Sequence, residues 1–187
     1  MKTVINFVVT LVAVTLFAAC GNTQKPAEAD PHAGHNHAPG EGHGAAAEKS
    51  VEGVSIKDDQ LNPVYQHYIY LTTALVNADM AEAKIAAAAI ELGAKEMGSG
   101  AALAALASKI TAASDIETQR TLFSDLSNDF IARVKSSGLT SGEVYVEYCP
   151  MALHDKGASW LSNSKEIRNP YFGESMMTCG EVKETIK

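Results

Sequence analysis

Residues 61–75 read LNPVYQHYIYLTTAL, and apolar side chains recur in them at steps of three and four. Such steps place side chains on one stripe of a helix, the face that a helix turns toward a core. The stripe consists of Leu61, Val64, Tyr65, Tyr68, Leu71 and Leu75. Asn62 before Pro63 has the form of a cap followed by proline at the first helical position. The stretch therefore predicts an amphipathic helix.

A second helix is predicted downstream, where Asp79 and Glu82 resemble a helix start and Gly98 a helix end. The segment between them is rich in alanine, a small residue that lets neighbouring helices approach closely. Its inward side is expected to carry Ile85, Ala88, Ala89 and Leu92.

Two more helices complete the pattern. A shorter apolar run predicts the third, with Leu103, Leu106 and Ile110. Ser114 and Glu117 have the spacing of a capping box that opens the fourth helix, and Gly138 suits its C-terminal cap. The fourth helix is expected to bury Ile116, Phe123, Leu126, Phe130 and Val134.

Four amphipathic helices joined by short turns predict a mainly α fold, an antiparallel four-helix bundle. The C-terminal part differs, because Glu143 to Tyr148 alternates apolar and polar residues as a strand does. We therefore expect a small C-terminal strand and loop subdomain beside the bundle. About 130 residues from position 56 onward fit a single domain, so one domain is predicted over 56–187.

The N-terminus has the pattern of an export signal. Lys2 precedes an apolar run that is too short for a membrane span, and small residues precede Cys20. Residues 16–20, Leu-Phe-Ala-Ala-Cys, resemble a bacterial lipobox, although Phe17 replaces the usual leucine. We expect a signal peptide over 1–19, lipidation of Cys20 and a membrane-anchored protein of the periplasm or cell envelope. The alternative is an ordinary signal peptide that leaves Cys20 free.

Residues 20–55 contain few large apolar side chains, a composition that predicts a disordered linker. Four of the six histidines of the chain lie in it, and imidazole binds copper, zinc and nickel. These histidines, expected to capture metal weakly, are His32, His35, His37 and His43. The alternative is a solvated linker that is merely rich in histidine.

Composition and motifs exclude two classes of function. The formal net charge of -7 gives no attraction for nucleic acid phosphates, so nucleic acid is not an expected partner. The sequence has no Ser/His/Asp, paired-carboxylate or phosphate-cradling arrangement and no Cys-x-x-Cys pair. We therefore do not expect an enzyme.

Sulfur-bearing residues concentrate near the C-terminus. Cys149 is followed by Pro150 and Met151, and a second group holds Met176, Met177 and Cys179. Proline favours an extended backbone before it, and residues two apart in a strand point the same way, so Cys149 and Met151 are expected to converge. In the second group one methionine and Cys179 share a face, Met176 on a helical turn or Met177 on a strand.

Thiolates and thioethers are soft ligands that select copper(I) over magnesium, calcium or manganese. We therefore predict a copper(I) site at Cys149, Met151, Met176 and Cys179, with silver(I) or zinc as the other candidate ions. Met177, His67 and His154 are further candidate ligands. The alternative for His67 is a partly buried polar residue, and a loop histidine such as His154 is more often only solvated. The alternative is a disulfide between Cys149 and Cys179, which would close a loop of about 30 residues and add roughly 3 to 4 kcal/mol of stability.

Four segments carry a resemblance to an uncharacterised extracytoplasmic domain family. They are Tyr148 to Ala152 (YCPMA), Gly157 to Ser162 (GASWLS), Glu166 to Gly173 (EIRNPYFG) and Met176 to Gly180 (MMTCG). Members of this family occur as small lipoproteins, and similar domains end some periplasmic adaptor subunits of heavy-metal efflux pumps. The resemblance implies copper or silver handling and an efflux adaptor as partner, and the family pattern favours Met176 over Met177. Many relatives carry histidine at positions corresponding to Thr118 or Leu122, which implies a simpler site here.

Overall fold

A computed structural model describes residues 53–187. The predicted signal peptide, Cys20, the four linker histidines and nearly all of the predicted linker lie outside the described residues. In chain order the elements are β1 (Ser55–Ile56), α1 (Leu61–Val76), α2 (Met80–Glu96), α3 (Ala101–Ala112), α4 (Ile116–Ser137), β2 (Leu139–Ser141), β3 (Val144–Cys149), α5 (Ala152–Asp155), β4 (Ala158–Ser162), a 3-10 helix (Gly173–Met176) and β5 (Glu181–Ile186).

Helix α1 follows the predicted stripe, because all six of its predicted core residues are buried. Its start differs from the prediction. The cap position is Gln60, and the Asp58 side chain accepts hydrogen bonds from the backbone N–H groups of Gln60 and Leu61 at 2.9 and 3.0 Å. Asn62 instead accepts from the Ile56 N–H at 2.9 Å. The predicted cap residue thus fastens β1 to the first turn of α1.

Helix α2 begins as predicted, since the Asp79 side chain accepts from the N–H groups of Ala81 and Glu82. Its predicted inward side is wrong, because Ile85 and Leu92 are 62% and 66% exposed. The buried residues are Ala83, Ala86, Ala87, Ile90 and Ala94. This second stripe also has helical spacing, and its alanines let α2 lie between α1 and α3.

Helix α4 buries Phe123, Leu126, Phe130 and Val134 as predicted. The predicted capping box is one residue out of place, because Asp115 is the cap and accepts from the Thr118 N–H at 2.8 Å. Either residue type can cap a helix, so neighbouring candidates compete. Gly138 ends the helix as predicted, at a φ of 75°.

The predicted C-terminal strand is confirmed as β3, the centre of a three-stranded antiparallel sheet with the order β4-β3-β5. Glu147 faces Trp160 of β4 and Val182 of β5, and Cys149 faces Ala158 of β4. Strands β1 and β2 form a separate antiparallel pair. The described chain is therefore mainly helical, with small antiparallel sheets.

The outer edge of β4 is covered by tyrosine side chains. Tyr68 Oη accepts from the Leu161 N–H at 2.9 Å and lies 2.8 Å from Ser127 Oγ of α4. Tyr171 Oη donates to the Ser159 carbonyl at 2.8 Å. These bonds satisfy edge groups that would otherwise be open to pairing with another strand, and they fix the sheet against α1 and α4. Within the described residues, no helix combines the length and apolar character that crossing a bilayer requires.

Candidate metal centre

Two cysteines lie next to each other at one end of the three-stranded sheet, where β3 ends and β5 begins. Cys149 is the last residue of β3 and its side chain is fully buried. Cys179 lies two residues before β5. The register that pairs Tyr148 with Glu181, carried on by one residue, sets Cys149 opposite Gly180, the residue after Cys179. The Asn169 amide donates to the Cys179 carbonyl at 2.8 Å, and the Cys179 N–H donates to the Met176 carbonyl at 3.1 Å. Backbone pairing therefore positions both cysteines.

The two side chains are free thiols in hydrogen-bonding contact. This contact with Cys149 raises the pKa of Cys179, and partial burial raises it further. The backbone N–H of Met151 acts in the opposite direction, since it donates to the Cys179 sulfur. Two adjacent thiols do not readily both lose their protons, because the resulting negative charges would repel each other. A cation bound between the sulfurs would offset this repulsion and so favour loss of the thiol protons.

Met151 does not continue the strand direction of Cys149, contrary to expectation. It has helical backbone angles, with a φ of -83° and a ψ of -12°, and precedes the short helix α5. Its backbone N–H reaches Cys179, while its side chain is 47% exposed. The chain turns at Pro150, so strand alternation stops at Cys149. The contact that the structure shows between Met151 and the thiols is therefore made by its backbone N–H.

Met176 and Met177 lie at the C-terminal end of the 3-10 helix, and both are half-buried. The hydrogen bond from Cys179 to the Met176 carbonyl makes one turn of residues 176–179, the helical alternative of the prediction. The Met177 carbonyl accepts from the Asn169 N–H at 2.8 Å. The second methionine group is therefore held in the same loop as Cys179.

A left-handed turn follows Met151. Leu153, His154 and Asp155 have φ values of 55°, 59° and 62°, each outside the range that L-residues prefer. A left-handed conformation costs roughly 1 to 2 kcal/mol per residue, and such backbone strain clusters at functional sites. The sequence signal for this turn is weak: histidine and aspartate adopt the left-handed region more readily than most residues, but Leu153 does not.

Two glycines permit the close packing around the thiols. A Cβ atom on Gly157, at a φ of 77°, would lie 2.0 Å from Tyr148 Oη. A Cβ atom on Gly180, at a φ of 145°, would lie 2.9 Å from Trp160 Cη2 and 3.1 Å from the Tyr148 carbonyl oxygen. Glycine after Cys179 therefore lets the chain pass directly over Trp160 into β5.

The two candidate histidines of the described residues occupy different places. His67 is half-buried in a groove between α1 and α2 of about 440 Å³, and neither Cys149 nor Cys179 lines that groove. His154 is exposed on the left-handed turn, five residues after Cys149.

Glu147 is a buried acid that the sequence reasoning missed. It lies two residues before Cys149 on the same face of β3, opposite Trp160, and it is fully buried. Neither carboxylate oxygen has a hydrogen-bond partner. Burial raises the pKa of Glu147 to about 8, and the nearby Trp160 side chain lowers it slightly. The alternation places Glu147 with the polar positions that a half-buried strand turns to solvent, so the sequence carried no signal for its burial.

The candidate metal donors in the two cysteine-bearing segments are sulfur atoms. Within residues 53–187, no three side chains among histidine, cysteine, aspartate and glutamate converge on one point. Methionine is outside that set, and the loops beside Cys149 and Cys179 carry Met151 and Met176. The chemistry of this arrangement is that of two thiols with thioethers close in sequence, which suits a soft ion.

Fold and site together define a mainly helical domain with a pair of adjacent thiols beside a small antiparallel sheet. The profile of one protein family, described as a protein of unknown function (DUF3347), matches residues 64–142. The matched residues run from α1 to the loop after β2, and the match supports a relationship to an uncharacterised family over that part. Both cysteines of the candidate centre lie beyond it. No curated protein and no solved structure matches the chain.

Proposed function

We propose that this chain is an exported lipoprotein of the periplasm or cell envelope that binds copper(I) and either sequesters it or passes it to a heavy-metal efflux system. The observation that carries the proposal is the contact between the free thiols of Cys149 and Cys179, flanked by two methionine-bearing loops. Silver(I) shares this ligand preference. Zinc is the weaker candidate, because its common sites use cysteine and histidine without methionine.

The chemistry of binding follows from the two thiols. A soft cation is held by thiolates, so its binding removes the protons of Cys149 and Cys179 and replaces their mutual hydrogen bond with two bonds to one ion. Met151 and Met176 are the proposed thioether donors, and the Met151 side chain is 47% exposed. Transfer to an efflux adaptor then needs only the exchange of one soft ligand for another.

The helices serve as the scaffold in this proposal. We infer an antiparallel four-helix bundle of α1 to α4, supported by the packing of α1 on α2, α2 on α3 and α3 on α4. The sheet that carries the thiols is fixed to this scaffold through Tyr68 and Tyr171. A rigid support keeps the two sulfurs adjacent before the ion arrives, which lowers the entropic cost of binding.

The test is an anaerobic copper(I) titration against a competing chelator. It uses the full chain with Cys20→Ser and with His32, His35, His37 and His43 replaced by asparagine, so that the linker takes up no copper. Cys149→Ser or Cys179→Ser should lower the copper affinity by more than about 100-fold. Replacing a residue that only supports a metal ligand costs up to about that much, and losing the ligand itself should cost more. Met176→Leu should have a smaller effect of about 10-fold, and the control Met80→Leu none. Equal copper uptake by wild type and Cys149→Ser would refute the site.

A second candidate function is a disulfide-stapled interaction or regulatory module of the cell envelope without metal. The same observation favours it, because a disulfide also requires the Cys149 and Cys179 sulfurs to be adjacent. Counting free thiols in the Cys20→Ser variant separates the two proposals. Two reactive thiols in protein isolated anaerobically support the copper site, whereas none supports the disulfide.

A further inference from the structure

Only one sulfur of the candidate metal centre is open to a dissolved reagent. Cys149 is fully buried at the end of the central strand β3, where it faces Ala158 of β4. Cys179 is partly exposed and lies outside the regular strands, between the 3-10 helix and β5. A small molecule in solution therefore reaches the Cys179 sulfur first, and it reaches Cys149 only through Cys179.

The contact between the two sulfurs places a second thiol directly behind the accessible one. Exchange of a thiol with a disulfide passes through a mixed disulfide, which a neighbouring thiol can then displace. Cys149 and Cys179 are free thiols in hydrogen-bonding contact, so the neighbouring thiol is already in position. The backbone hydrogen bonds of Cys179 to Met176 and Asn169 keep it beside Cys149. The pair therefore has the arrangement that exchange with an external disulfide requires.

The backbone N–H of Met151 supports the accessible sulfur. It donates a hydrogen bond to the Cys179 sulfur. In each step of an exchange, negative charge lies on the sulfur that attacks or leaves, and a hydrogen bond to that sulfur stabilises the charge. Because the donor is directed at Cys179, it favours Cys179 as the sulfur that exchanges with an external molecule.

We propose that Cys179 and Cys149 form a thiol–disulfide exchange pair, in which Cys179 reacts with a low-molecular-weight disulfide and Cys149 displaces the product. In the first step Cys179 gives up its proton and its sulfur bonds to one sulfur of the external disulfide. The external sulfur–sulfur bond breaks, and one external thiolate leaves and takes up a proton. In the second step Cys149 gives up its proton and bonds to the Cys179 sulfur, which releases the other external thiolate. Two electrons thus pass from the cysteine pair, which becomes a disulfide, to the external disulfide, which becomes two thiols.

The exchange regulates the candidate metal centre, and this consequence rests on the proposed function. Thiolates are the ligands of a soft cation, and the sulfurs of a disulfide carry no such negative charge. The same two sulfurs therefore hold either the ion or each other. Oxidation of the pair releases copper(I), and reduction restores the site, whereas the exchange itself requires no metal.

The first test treats the metal-free full chain with glutathione disulfide and measures the mass of the intact protein. All samples carry Cys20→Ser, so that Cys149 and Cys179 are the only cysteines. The chain with both cysteines should lose two hydrogen atoms and keep no glutathione, because Cys149 displaces it. Cys149→Ser should keep one glutathione on Cys179, and the matched variant Cys179→Ser should stay unmodified because Cys149 is buried. Unchanged circular dichroism will show that both variants fold.

A measurement without either serine variant checks the order of the two sulfurs. Brief alkylation of the reduced chain, followed by peptide mapping, should label Cys179 before Cys149. Faster or equal labelling of Cys149 overturns the proposal, as does equal glutathione uptake by the two serine variants or none by Cys149→Ser. Glutathione that stays on the chain with both cysteines overturns the role of Cys149.

The second test compares the copper(I) affinity of the reduced and the oxidised chain against the same competing chelator. The linker histidines are replaced and Cys20→Ser is present, as in the titration above. The oxidised chain should bind copper(I) more than about 100-fold more weakly, and treatment with a reductant should restore the affinity. Equal affinities of the two forms overturn the release of copper. A reduced chain that binds no copper refutes the proposed function and the release with it, whereas the mass measurement decides the exchange pair independently.

Discussion

Glu147 makes the stability of the fold depend on pH. Its pKa in the folded chain is about 8, well above the value near 4.5 of an unperturbed glutamate. Between these two values the folded chain holds a proton that the unfolded chain has released. By linkage, the contribution of Glu147 to stability is therefore greatest below pH 4.5 and declines as the pH rises toward 8. The cause is the burial of a carboxyl group without a hydrogen-bond partner.

Replacing this acid with its neutral isostere should remove the decline. Glu147→Gln is expected to unfold with nearly the same free energy at about pH 5 and about pH 9, and to exceed the wild type at about pH 9 by roughly 1 to 3 kcal/mol. Urea unfolding of the metal-free chain at both pH values measures this. Glu184→Gln, which changes an exposed carboxylate of β5, should leave the wild-type slope intact. Parallel slopes for wild type and Glu147→Gln would contradict the assignment.

At the same scale, the sequence predicted that Cys149 and Cys179 would meet, but not the orientation of Met151. The grouping of Cys149 and Cys179 with methionines indicated soft-ligand chemistry, and the structure brings the two thiols together. The orientation of Met151 was not predictable, because it depends on the turn at Pro150 and the left-handed residues after it. Periodicity describes regular backbone only, so it does not extend into such a turn.

Among the elements, helices with large apolar residues were the most predictable. In α1 and α4, tyrosine, phenylalanine and leucine define one stripe, and burial of that stripe dominates the free energy. In α2 the alanines form a second stripe of helical spacing, and the interface with α1 and α3 selects it because small residues fit between two helices. Sequence periodicity alone does not distinguish two such stripes. For this reason Ile85 and Leu92 were predicted to face inward, although they lie at the surface.

Arg120 connects elements that are distant in sequence, and its loss should be expensive. The buried guanidinium donates to the carbonyls of Leu75, at the end of α1, and Pro170, in the loop before the 3-10 helix, both at 3.1 Å. Arg120→Ala should lower the free energy of unfolding by about 2 to 4 kcal/mol, because both carbonyls lose their buried donor. Chemical denaturation measures the change.

Lys135→Ala provides the comparison on the same helix. Lys135 pairs with Glu184 of β5 at 2.5 Å, but both side chains are largely exposed. Its removal should cost less than about 1 kcal/mol, as is usual for surface ion pairs. Similar losses for the two variants would mean that Arg120 contributes only through its charge.

At the level of the whole molecule, the proposed lipidation of Cys20 would decide where in the cell the domain is found. If Cys20 carries the lipid, the wild-type chain should sediment with the membrane fraction of the cell, because two acyl chains hold a protein stably at a bilayer. Cys20→Ser should move it to the soluble extracytoplasmic fraction. Ser50→Cys and the wild type should behave alike, since only the position after the signal is modified. A wild-type chain found in the soluble fraction would argue against lipidation.

The two thiols of the candidate centre differ in their exposure to solvent. Cys149 is enclosed by the sheet, whereas Cys179 is only partly covered. If the proposed copper site is correct, an ion arriving from solvent would reach Cys179 before Cys149 and would leave Cys179 last. A protein that accepted copper from the proposed site would then have to approach from the Cys179 side, and loading and delivery would share that one route.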